Sequence, residues 1–333
     1  MWFISAGERV TVESELAWAG RLIERALGPI EPSVPPRDYR PTVHLKVEAS
    51  RASFPVDGLR TITRGAWSDG RRTVLRNVGG SGFDLQLETE SPQSADATLA
   101  VAARYRPTFP TRAANAVLAD RFGLLAGQVL VHYPVLWRAG WRGRVPLHVA
   151  VVATSEGTAL LAGPGGIGKS TVLVELLADG AFATADNLCC ADVDRCFGLV
   201  EPLRLDRQLA GGGRDRTSHG RTSHGRVNQP LPARVAELTP DRLVVLERGP
   251  HTEIAPIAPD EAARTVVTGT YAAGELRRYW AFAATLALAT GRGDAHPRIG
   301  ETARAIAAKL PCLRVRVGDH ASVSAADLSG VLA

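Results

Sequence analysis

Residues 163–170 read Gly-Pro-Gly-Gly-Ile-Gly-Lys-Ser, and the spacing G-x-x-x-x-G-K-S constrains the chain more than any other stretch. Glycine at this density disfavours the interior of a helix or strand, so the run is a loop whose backbone can take up left-handed turns. Ahead of it, Ala159-Leu-Leu-Ala162 is a short apolar run suited to a buried strand; behind it, Val172, Leu173, Leu176 and Leu177 repeat at helical spacing toward a stop at Gly180. Strand, glycine loop and helix are the setting of a P-loop, in which successive backbone N–H groups and the positive end of the helix face phosphate oxygens. Only three of the 39 Lys and Arg residues are lysines, and Lys169 is one of them. A compact ammonium on a flexible stem follows a phosphate as a point charge, where a planar guanidinium is bulkier. The run therefore predicts that Gly163, Pro164, Gly165, Gly166, Ile167, Gly168, Lys169, Ser170 and Thr171 bind a nucleoside triphosphate. In such a loop Lys169 would reach the β and γ oxygens, and the Ser170 hydroxyl would lie on Mg²⁺.

From about residue 147 onward, short apolar segments alternate with helical patterns, as in an α/β nucleotide-binding core. His148–Ala153, Ala159–Ala162, Phe182–Ala185, Leu243–Leu246 and Leu313–Val317 read as strands, and 278–291 and 299–310 as helices. The earlier half is different. Residues 12–27 have a helical pattern, five prolines between Pro29 and Pro41 mark an irregular arm, and Thr42–Val47 alternates. Arg72–Arg76 and Phe83–Glu88 flank Gly79-Gly80-Ser81-Gly82 as a hairpin, with Thr98–Ala102 able to pair alongside and 110–140 partly helical. The expected organisation is a β-rich region over 1–140, with a packing or acceptor-binding role, followed by a P-loop α/β core over 141–333. Residues 211–226 hold a tandem Arg-Thr-Ser-His-Gly and no large apolar side chain. They read either as a mobile surface loop or as a basic flap offering Arg216, Arg221 or Arg226 to phosphates.

Composition narrows the partners. A formal charge of +5 is mild, and the arginines are scattered with few aromatics among them, so a nucleic-acid partner is not expected. Cys189, Cys190, Cys196 and Cys312 lack the paired spacing of a zinc site and read as buried thiols in a reduced compartment. No apolar stretch has membrane-spanning length and no secretory leader pattern opens the chain, so a cytoplasmic location is expected. A homo-oligomer is left open.

A P-loop serves motors, switches and kinases alike. The Leu-Ser-Gly-Gly-Gln run of ABC-type ATPases and the switch motifs of GTPases are absent, and Glu247 reads as a solvated strand end. Ala183-Thr-Ala-Asp186-Asn187 follows the loop helix directly. An acid at that strand end can hold Mg²⁺ or accept a proton from an attacking hydroxyl. His148, 15 residues before Gly163, would come to the same sheet edge, and Glu201 is a further candidate for the metal side. Asp192 and Asp194 read as a hairpin turn.

Leu147-His148, the loop Gly163–Thr171, Gly180 and Thr184-Ala-Asp186 together resemble the core of the HPr kinase/phosphorylase family and its smaller relatives, a fold related to phosphoenolpyruvate carboxykinase. The resemblance covers about 145–206. It implies ATP and Mg²⁺ as cofactors, transfer of the γ-phosphate to a hydroxyl, Asp186 as catalytic base, and His148 beside the metal and phosphates. Two features depart from the family: Asn187 stands where its second acid would be, and the Glu-x-Arg-Gly-like run of true HPr kinases is missing. A hydroxylated small molecule or a peptide with a Ser/Thr-like hydroxyl is therefore the expected acceptor. The alternative is an ATP-binding sensor or scaffold that transfers nothing.

Overall fold

Period-two burial organises the N-terminal part. In the computed structural model, which describes residues 1–28, 39–89, 94–205, 227–251 and 253–318, the chain divides into two units. Among the described residues the first contains Met1–Arg142, 227–228 (the start of a short strand whose remainder counts with the second unit) and Arg278–His296. Its strands are β1 (Trp2–Ser5), β2 (Glu8–Ser14), β3 (Val43–Glu48), β4 (Arg60–Thr63), β5 (Ala66–Ser68), β6 (Arg72–Leu75), β7 (Phe83–Glu88) and β8 (Leu99–Tyr105). They form one sheet in the order β1-β2-β3-β8-β7-β6-β5-β4. Alternate side chains, Val10 and Val12, then Val43, Leu45 and Val47, then Leu99, Val101 and Ala103, fill its core. The hairpin read from sequence is present, with Arg72 opposite Glu88 and Leu75 opposite Leu85, and β8 pairs antiparallel with β7.

Helix α1 (Ala17–Leu27) connects β2 to the parallel β3, the long crossover such a pair needs. The helix expected over 12–27 thus starts at Ala17. Residues up to Ser14 belong to β2, because the alternation of Val10 and Val12 matches the sheet better than a helix face. Helices α2 (Phe109–Val117), α3 (Ala119–Gly127) and α4 (Tyr133–Gly140) follow, with a π-helical turn at Gln128–His132. No single helix among the described residues is long and apolar enough to cross a membrane.

The second unit starts at Gly143. Its first strands are β9 (Val145–Leu147), β10 (Ala150–Thr154) and β11 (Gly157–Ala162), followed by helix α5 (Lys169–Ala178) and β12 (Phe182–Ala185). Next come β13 (Cys189–Ala191), β14 (Cys196–Gly198), β15 (Leu203–Leu205), β16 (Val227–Gln229), β17 (Glu237–Leu238), β18 (Arg242–Gly249) and β19 (Glu253–Pro256). Helices α6 (Pro259–Ala272), α7 (Arg277–Thr290) and α8 (Ile299–Lys309) precede β20 (Cys312–Gly318). From Arg278 to His296 the chain, with most of α7, counts with the first unit, although the sequence reading placed everything beyond 141 in the core.

The main sheet runs β12-β10-β11-β18-β20-β19 and is mixed: β11, β18 and β20 are parallel, whereas β10 is antiparallel to both β11 and β12. A second, antiparallel sheet runs β17-β14-β13-β9. The chain is therefore a mixed α/β protein. Val172, Leu173 and Leu176 of α5 pack with Leu161, Val244, Leu246 and Val315 of the main sheet, and Leu203 and Leu205 of β15 join them. This packing seats α5 at the end of β11.

Candidate active site around the glycine-rich loop

Ile167 tucks into the core of the second unit and anchors the loop between β11 and α5. Gly163 sits at φ +153°, and a Cβ there would stand 2.7 Å from the Leu246 carbonyl oxygen on β18, so only glycine lets the loop leave β11 along this path. Lys169 opens α5 and is only 6% exposed. Its Nζ donates to the carbonyl oxygens of Gly163 (2.8 Å) and Pro164 (3.2 Å), so the ammonium is folded onto its own loop. Burial pushes Lys169 down to about 8, against the opposing pull of Asp186 and Glu275. Such an ammonium gains when phosphate oxygens replace neutral carbonyls.

Asp186 and Asn187 follow β12. The position of this strand end is set by β14: a Cβ on Gly198 would fall 1.6 Å from the Thr184 carbonyl oxygen. The Gly198 N–H donates to Thr184 Oγ1 (2.9 Å), and that hydroxyl donates to the Ala236 carbonyl (3.0 Å). Asp186 is buried and interacts electrostatically with Lys169, Glu201 and Arg204.

His148 lies between β9 and β10 rather than within the predicted strand. Its backbone N–H donates to Thr270 Oγ1 (3.1 Å) on α6, and its Nε2 lies 2.8 Å from Asn187 Oδ1. Burial, then the Lys169 charge, hold the imidazole below its ordinary range, so it is neutral at physiological pH.

Glu201 is buried as well. Its Oε1 accepts the Leu188 N–H (3.0 Å) and its Oε2 accepts from Arg204 (3.1 Å). Burial raises Glu201 to about 7; Arg204 opposes this, while Glu275 and Asp186 reinforce it. Arg204 also donates to Glu275 at 2.5 Å. Burial works against ionisation of both Arg204 and Glu275, yet Glu201 and then Glu275 keep Arg204 raised, and Arg204 keeps Glu275 lowered.

His148, Lys169, Asp186 and Glu201 thus fall within one electrostatic network, with Asn187 bonded to it. Sequence reasoning missed Arg204, Glu275 and Thr270. Arg204 had a signal, being the one charge between the buried Leu203 and Leu205; Glu275, in the turn between α6 and α7, had none. Glu247 pairs with Arg314 at 3.2 Å. Asp192 makes the predicted turn, accepting from the N–H groups of Asp194 and Arg195. The four cysteines are free and buried. The expected Arg/His loop at 211–226 lies outside the described residues.

Among the described residues no group of three or more His, Cys, Asp or Glu side chains is arranged to hold a metal ion by itself. Mg²⁺ bound with phosphates needs no such cage, since one or two carboxylates, phosphate oxygens and waters complete its shell. Ser170, in the first turn of α5, and Asp186 supply donors of that kind. Glu201, with both oxygens already engaged, would have to exchange Arg204 for the metal. Searches against protein-family models and against curated proteins found no match for this chain.

Proposed function

We propose that the chain is a kinase that moves the γ-phosphate of ATP to a hydroxyl of a small molecule or of a peptide, with a P-loop core of the HPr kinase-like kind. The observation that carries this reading is a buried loop lysine, Lys169, within electrostatic reach of a buried carboxylate, Asp186, at the end of the strand that follows the loop helix. An acid at this strand end can hold Mg²⁺ beside bound phosphates. In a phosphoryl transfer it has a second use, because the attacking hydroxyl must lose its proton as its oxygen bonds to phosphorus.

In this reading the loop N–H groups and Lys169 hold the triphosphate, with the Lys169 ammonium turning from the Gly163 and Pro164 carbonyls to phosphate oxygens. Ser170 and Asp186 are the residues that would hold Mg²⁺, which supplies charge neutralisation to the phosphates. Asp186 receives the acceptor's proton while the bond to the departing diphosphate breaks. Arg204 and Glu275 balance charge around Glu201, keeping a site with several carboxyls close to neutral overall. A second reading, an ATP-binding sensor without transfer, is favoured by Asn187, whose amide bonds His148 where a second acid would have offered charge.

The test is incubation of the protein with γ-labelled ATP and a pool of hydroxylated metabolites and peptides. Label in an acceptor supports the kinase. ATP binding with no acceptor-dependent turnover in any pool supports the sensor.

A further inference from the structure

The pair formed by His148 and Asn187 has an asymmetry that the phosphotransfer reading does not use. Nε2 lies 2.8 Å from Asn187 Oδ1, whereas Nδ1 is buried and has no hydrogen-bond partner among the described residues. A carbonyl oxygen accepts only, so the Nε2 facing it must carry the ring's proton in the neutral imidazole. Nδ1 is then a bare lone pair.

Its surroundings give that lone pair a direction. Gly269 on α6 leaves a small space: a Cβ built there would stand 3.8 Å from Nδ1 and 3.6 Å from the Gly163 carbonyl oxygen. Nδ1 and the first carbonyl of the glycine-rich loop thus border the same space. The Gly163 carbonyl already accepts from Lys169 Nζ, and the Lys169 charge bears on the imidazole. A cation on this side favours a lone pair over an N–H. With the amide turned over, Asn187 Nδ2 would donate to Nε2 and force the ring proton onto Nδ1, toward that cation.

We infer that Asn187 is a positioning residue that locks His148 in the Nε2-protonated form and turns its Nδ1 lone pair, as a hydrogen-bond acceptor, toward the loop space beside Gly163. An acceptor there takes an O–H or an ammonium N–H, either an incoming hydroxyl or Lys169 itself, and rejects a bare phosphate oxygen. An acid at position 187 would accept the same Nε2–H but draw a second proton onto the ring and erase the acceptor. Asn187 therefore keeps the ring neutral as well as oriented. The use of this acceptor in catalysis rests on the kinase reading; the locked tautomer does not.

The experiment is nitrogen-15 NMR of histidine-labelled full-length protein, with His148→Gln used to assign the resonances, together with Asn187→Asp and Asn187→Leu. The wild type should show a pyridine-like Nδ1 and a pyrrole-like Nε2 for His148. Asn187→Leu should convert this into a tautomer mixture. Asn187→Asp should keep Nε2 protonated but shift the ring's titration to higher pH, against the charges that face it: Lys169 from α5, Arg204 from β15 and Glu275 from the turn after α6. A protonated Nδ1 in the wild type, or an unchanged tautomer in Asn187→Leu, would overturn the inference. If the protein transfers phosphate, the acid limb of the rate profile should move up in Asn187→Asp by at least a few tenths of a pH unit; an unmoved limb removes Nδ1 from the reaction. None of the tautomer readouts needs turnover, so failure of the kinase reading and failure of the lock are separable.

Discussion

Each unit buries a cluster of charges, and the two clusters are built differently. In the first unit, fully buried Arg138 donates through Nε and Nη2 to the carbonyls of Ala97 (2.9 Å) and Ala95 (2.6 Å), lies 3.8 Å from Glu8, and stacks 5.0 Å from the Trp141 ring. Arg142 adds a second contact to Glu8 at 3.3 Å. Burial lowers Arg138 to about 10, well above any physiological pH, so its charge is fixed. In the second unit the corresponding groups are poised. Lys169 falls to about 8, Glu201 rises to about 7 and His148 is lowered. Buried polar atoms without hydrogen-bond partners among the described residues occur in both clusters, Arg138 Nη1 and Trp141 Nε1 in the first and His148 Nδ1 and Asn187 Nδ2 in the second, so ionisation is what separates them: fixed in the first, near the switching point in the second.

The contrast is sharpest where it separates activity from stability. On the proposed kinase reading, Asp186→Asn should lower phosphotransfer by about 10³-fold or more, as for loss of a base. Its urea midpoint should fall less than that of Arg138→Met, because Lys169 keeps its bonds to the Gly163 and Pro164 carbonyls and the amide keeps the volume of the acid. Arg138→Met should do the reverse. It removes one of the two arginines beside buried Glu8 and should cost about 3 kcal/mol in urea unfolding, with ATP binding by the folded protein unchanged. Adding Glu8→Leu to that variant should recover part of the loss, since removing both charges is cheaper than stranding one.

Glu201 links the two properties. Its folded pKa lies above its unfolded value, so its contribution to stability is fully present below the ordinary carboxyl range near 4.5 and is lost as pH rises to about 7. Wild-type stability should therefore fall across this window by on the order of 2 kcal/mol more than that of Glu201→Gln. Parallel stability curves for the two proteins would mean that Glu201 is not held protonated. The smallest effect belongs to the exposed pair of Lys309 and Asp194 (2.7 Å), both side chains about half exposed. Lys309→Ala should change stability by less than about 1 kcal/mol, and less still in high salt.

Much of this architecture was legible in the sequence. Glycine spacing and helical period located the loop, α5 and the stop at Gly180, because local backbone rules decide those features. The strands β11, β12, β18 and β20 were visible as apolar runs. Their order was not, because pairing in a mixed sheet is set by long-range contacts: β10 lies between β11 and β12 although only β11 and β12 flank the loop helix. The expected first helix starts too early, at residue 12, since the end of a strand just before an amphipathic helix breaks no local period. In the site, Lys169, Asp186 and His148 had spacing to recommend them. Arg204 and Glu275 meet across 71 residues, and no pattern along the chain encodes a bond between a strand and a distant turn. Asn187 read as a degraded acid, whereas its bond to His148 gives it a place in the site.

Label transfer from γ-labelled ATP to acceptor pools, measured with wild type and Asp186→Asn alongside ATP binding by both, decides whether Lys169 and Asp186 form a phosphotransfer site. The expected result is equal ATP binding within a few-fold, labelled acceptor with the wild type, and none above background with the variant. Transfer by Asp186→Asn at the wild-type rate would remove Asp186 from the reaction, and a wild type that binds ATP yet labels nothing in any pool would exclude the kinase.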